Sequence, residues 1–79
     1  MEHRDRKGRE IHLGDTVCVV RGEWKGVCGC VAGFDDALGY ATAEFRVTHL
    51  ARRPAKAVKD EKISVGDAFS DRLDYLQIQ

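Results

Sequence analysis

This 79-residue chain has no net charge, because 13 Lys and Arg balance 13 Asp and Glu. A general nucleic-acid binder carries an overall basic excess, so the composition argues against an indiscriminate polyanion binder. Its apolar runs fall far short of the roughly 18 residues of a membrane-spanning helix, and no membrane role is expected. Residues Met1 to Lys7 mix both charge signs and no apolar stretch follows. A secretory leader is therefore not expected, and a cytoplasmic chain is the default. No phosphate-cradling glycine loop opens a helix, and His3, His12 and His49 sit in no nucleophile motif. Asp35 and Asp36 read as turn residues rather than paired catalytic acids. The chain is not expected to be an enzyme or to hold a cofactor.

Cysteine is scarce and odd in number: Cys18, Cys28 and Cys30. An odd count without an export signal predicts reduced thiols and no disulfide. Cys28 and Cys30 share one face of a strand and Cys18 lies on its hairpin partner, so the thiols can cluster, with His12 or His49 as a fourth ligand. The C-x-C spacing differs from the paired C-x-x-C of a zinc knuckle, and buried cysteine serves as a small hydrophobe. The prediction is no structural metal.

What is present fits one small domain. Hydrophobic residues make up 43% of the chain, enough for a thin core and too many for a disordered segment. At this size such a core contributes roughly 3–5 kcal/mol of net stability. Residues 1–9 read as a frayed polar N-terminus, and 10–79 as a single β domain.

The most informative stretch is Gly14 to Val31, which reduces to G-D-x-V-x-V-x-x-G-x-x-K-G-x-x-G-x-V. Val17 and Val19 alternate onto one face of a strand. Gly22, Gly26 and Gly29 suit a sharp turn and close strand crossings. Lys25 sits at the tip, and Val31 resumes the buried face on the return strand.

This stretch resembles the KOW motif of several ribosomal proteins and of NusG-type transcription elongation factors. Gly14, Asp15, Val17, Val19, Gly22, Lys25, Gly26, Gly29 and Val31 carry the resemblance. It implies a small antiparallel SH3-like barrel with a KOW-type hairpin, binding RNA or protein and doing no chemistry.

Along the rest of the chain, strands are expected over roughly 16–21, 27–34 and 40–48. In the third, Ala41, Ala43, Phe45 and Val47 face inward, Thr42, Glu44 and Arg46 outward, and Leu50 closes the core. Residues 51–62 are the least patterned, read equally as a short helix from Ala55 or a charged linker. Residues 62–69 echo 10–17 in type, each with a Gly-Asp step, which reads as a shared turn before a strand. A final strand is expected over 73–78.

Two binding features stand out. Trp24, flanked by Arg21 and Lys25, is either an interface anchor or a cap on the barrel. Arg46, Arg52, Arg53, Lys56 and Lys59 form a run without an acid, whereas residues 60–79 hold five acids against two bases. The expected function is non-catalytic binding of RNA, or of a protein in a translation or transcription assembly, through Arg21–Gly26 and the basic run. The alternative is a small phage or mobile-element accessory protein, an anti-CRISPR-like inhibitor using Asp35, Asp36, Asp60, Glu61, Asp71 and Asp74.

Overall fold

The computed structural model describes residues 3–36, 39–52, 54 and 63–79. Five strands are formed: β1 (Thr16–Val19), β2 (Val27–Asp35), β3 (Thr42–Leu50), β4 (Ala68–Arg72) and β5 (Leu76–Ile78). They make one antiparallel sheet in the order β4-β3-β2-β1-β5. A 3-10 turn, Leu73–Tyr75, joins β4 to β5, and no α-helix occurs among the described residues.

The sheet is curled but not closed. β4 and β5 are its two edges. A flat five-stranded sheet separates its edges by four strand spacings, or ~19 Å. The link from Arg72 to Leu76 reaches at most ~14 Å. The sheet must therefore roll until its edges approach, and two register slips help it bend, at Cys28/Gly29 and Val31/Gly33. The edges are not paired with each other. Inside the roll lie Ile11, Val17, Val19, Val27, Val31, Ala43, Phe45, Val47, Leu73 and Leu76. The alternation expected for the third strand holds: Ala43, Phe45 and Val47 are buried, Glu44 and Arg46 exposed.

The two Gly-Asp steps build the same turn twice. Asp15 N–H donates to the His12 carbonyl, and the Asp15 carboxylate accepts the His12 N–H. Asp67 and Ser64 repeat both bonds. Gly14 and Gly66 sit at φ of 91° and 98°, the left-handed conformation that the third residue of a type II turn requires. Each turn then docks on a neighbouring strand through Val31 or Val47. Leu13 and Val65, one residue before each glycine, are left exposed.

Several expectations are corrected. The N-terminal stretch is not frayed over residues 3–9. Asp5 is buried there, and the backbone of Arg4 pairs with that of Glu10 in an isolated antiparallel β-bridge. Cys18 and Cys28 are not free thiols. The strand register sets them directly opposite each other with Cα atoms 4.0 Å apart, and they form a disulfide; counting cysteines carries no information on that register. Leu50 ends β3 exposed instead of closing the core. The segment expected as one last strand divides into the 3-10 turn and a short β5, and the echo at 62–69 leads into β4. The helix considered from Ala55 lies outside the described residues.

Candidate nucleic-acid interface

Four separate segments meet around the 3-10 turn. Val20 N–H donates to the Tyr75 carbonyl, Arg6 N–H to Leu76, and Leu73 N–H to Ala41. These bonds tie together the end of β1, the N-terminal turn, the β4–β5 link and the entry to β3. The depression they enclose has a volume of about 410 Å³ and is lined by Arg4, Arg6, Arg21 and Arg72, with Asp5, Tyr40 and Asp74 among the remainder. Four arginines line it against two aspartates.

The aromatic content of this surface is ordered. The Arg72 guanidinium carbon lies 4.8 Å from the Tyr40 ring centre and 5.3 Å from that of Tyr75. Arg21 lies 5.8 Å from the Tyr75 ring. The sequence Tyr40–Arg72–Tyr75–Arg21 is thus a ladder of alternating rings and cations, each within cation–π range. Asp74 grips Arg72 through two bonds of 3.0 and 3.1 Å. Those hydrogen bonds and the Asp74 charge raise the Arg72 pKa above its ordinary value. Tyr40 is exposed and Tyr75 half-buried.

Two carboxylates of the fold, Asp5 in the depression and Asp71 outside it, differ in kind. Asp5 is buried and accepts three backbone N–H groups, from Lys7, Arg9 and Ile78. Burial alone pushes its carboxyl pKa up. The Ile78, Arg9 and Lys7 hydrogen bonds and the Arg9 charge outweigh that and bring it below the ordinary value. Its charge is spent on the fold, placing Arg4 and Arg6 on the rim. Asp71, on β4, is raised instead, chiefly by burial and further by the neighbouring Asp74 charge.

Of the residues expected to bind, the structure brings Arg21 to this surface. Trp24 is half-buried against the core and meets Phe69 edge-on at 5.1 Å, joining the β1–β2 turn to the sheet's far edge. It caps the roll. Lys25 is exposed at the turn tip. Arg46 donates to the Gly66 carbonyl at 2.9 Å and holds the second Gly-Asp turn. Arg52 is exposed, with its backbone lying over Gly26. Arg53, Lys56 and Lys59 lie outside the described residues. Arg4, Arg6, Tyr40, Arg72 and Tyr75 were not anticipated. Asp5 and Gly8, four residues spanning a turn with Asp first and Gly last, were the available signal for the N-terminal part.

Of the acids named for protein recognition, Asp36 meets His3 at 3.3 Å, Asp74 holds Arg72 and Asp71 accepts the Arg72 N–H, while Asp60 and Glu61 lie outside the described residues. No family model matches the chain, and no curated protein matches it.

Proposed function

We propose that this chain is a non-catalytic module that binds single-stranded RNA across the Tyr40–Arg72–Tyr75–Arg21 ladder. The single observation that carries the reading is that ladder. Unpaired bases stack on aromatic rings and on guanidinium planes, and here both are held at fixed spacing on one exposed surface. Arg4 and Arg6 on the rim then serve the phosphates. RNA is preferred to DNA on the resemblance of Gly14–Val31 to the KOW hairpin, which contributes Arg21 and implies a setting in translation or transcription. The same resemblance, with a rolled sheet whose edges are joined by one 3-10 turn, supports reading the fold as an open SH3-like barrel.

The zero net charge predicts modest affinity confined to one face. The test is a titration of single-stranded RNA, single-stranded DNA and duplex RNA into the folded protein at low salt. Binding of the RNA strand in preference to the duplex is expected. No binding of any of the three would overturn the reading and leave protein recognition, including inhibition of a protein partner, in its place.

A further inference from the structure

The strand register lines up Gln77, Cys18, Cys28 and His49 in one row across β5, β1, β2 and β3. Three of these side chains are metal-ligating types. The sulfurs of Cys18 and Cys28 and a ring nitrogen of His49 all lie within 4.8 Å of one another. A tetrahedral zinc ion with Zn–S of about 2.3 Å and Zn–N of about 2.0 Å sets its donors roughly 3.5–3.8 Å apart, so the sulfurs must part once their bond is opened, while the histidine nitrogen already lies within 4.8 Å of them. Cys30 stands two register positions away, opposite Thr16, and His12 is held by Glu10 and Asp15 in the first turn. Neither belongs to the set.

The imidazole is prepared for the role. The Thr48 hydroxyl lies 3.4 Å from the Cys28 carbonyl, which can only accept, and 3.2 Å from His49 Nδ1. A hydroxyl that donates to the carbonyl must accept from Nδ1–H. In that arrangement Nε2 is the ring nitrogen left to ligate, the pattern by which a neighbouring oxygen orients a metal-bound histidine.

We propose that Cys18, Cys28 and His49 form a zinc site that replaces the Cys18–Cys28 disulfide when the chain is reduced. In the reduction, a dithiol transfers two electrons and two protons to the disulfide and leaves as its own disulfide. Zinc then binds the two sulfurs as thiolates, releasing their two protons to solvent. The two thiolate charges cancel that of the ion, which makes a half-buried site tolerable. The fourth position is open to water. The two crosslinks differ in reach: the disulfide joins β1 to β2, whereas the metal also takes in β3. A chain this small gains stability from such a staple in either redox state.

The experiment uses the full chain, reduced with a phosphine to avoid a competing thiol, and titrated with Co²⁺ and then Zn²⁺ under anaerobic conditions. A thiolate-to-cobalt charge-transfer band is expected, saturating at about one equivalent and displaced by zinc. The oxidised chain should give no band. His49→Ala changes an exposed side chain, so its fold is expected to persist, and metal affinity should fall by at least about tenfold. Cys30→Ser should bind as the parent does. Melting of the reduced parent should rise on adding zinc. The proposal is overturned if the reduced, folded parent gives no charge-transfer band. It is equally overturned if His49→Ala binds as tightly as the parent, or if Cys30→Ser abolishes binding.

Discussion

The Asp5 carboxylate accepts the Ile78 backbone N–H at 2.9 Å, across 73 residues of sequence. The same side chain takes the Lys7 and Arg9 amides, so one buried carboxylate binds the N-terminal turn to the edge strand β5. Asp5→Asn puts an N–H₂ where an acceptor is needed, and we expect a loss of about 1–3 kcal/mol by urea unfolding near neutral pH.

The pH dependence follows in sign. The folded Asp5 carboxyl lies below its ordinary value of 3.8. Its contribution is therefore complete above the ordinary carboxylate range and is lost as pH falls through the lowered folded value. The parent should lose stability on acidification more steeply than Asp5→Asn, and the two curves should converge in strong acid. Curves that stay parallel would mean Asp5 is not a charged group of the fold.

Much of the sheet was legible because strand alternation and Gly-Asp turns are local signals. Phe45 and Val47 announced the core face of β3, and the echo at 62–69 marked a second turn of the same construction. The Cys18–Cys28 bond and the Tyr40–Arg72–Tyr75–Arg21 ladder were not legible. Each depends on which strands become neighbours, and that is settled by the roll of the sheet. Arg72 and Tyr75 looked like ordinary members of an ambiguous tail until the 3-10 turn set them beside Tyr40 and Arg21.

Gly26 is predicted to be the most demanding glycine of the β1–β2 turn. It has φ of 106°, and a Cβ there would stand 2.6 Å from the Arg52 carbonyl oxygen and 2.9 Å from its nitrogen. Gly14 has a similar φ and open space around it. Gly26→Ala should thus cost more than Gly14→Ala, roughly 2–4 against about 1 kcal/mol in thermal or urea unfolding. Equal losses would contradict the close approach of Arg52.

The disulfide closes a loop with a sequence separation of 10. Restricting the unfolded chain in this way is worth about 2–3 kcal/mol. Reduction in metal-free buffer should lower the urea midpoint accordingly, and Cys18→Ser with Cys28→Ser should reproduce the reduced parent.

Two aromatic truncations separate packing from binding. Trp24→Ala removes the contact to Phe69 and should cost about 2–3 kcal/mol of stability, with RNA affinity of the folded fraction unchanged. Tyr40→Ala should melt close to the parent and weaken RNA binding by about 1–3 kcal/mol, the range for loss of a stacking ring. The reverse pattern would return the binding role to the hairpin tip.

The most direct test of this placement of the RNA is the salt dependence of affinity in the parent, in Arg4→Ala/Arg6→Ala, and in Arg52→Ala. Each lost phosphate contact to a single strand reduces the slope of log affinity against log salt by about 0.7. The double variant should be flatter than the parent by about 1.4 on the same basis, and Arg52→Ala should match the parent. An unchanged slope in the folded double variant, with Arg52→Ala flattened instead, would contradict the placement of the RNA on this surface.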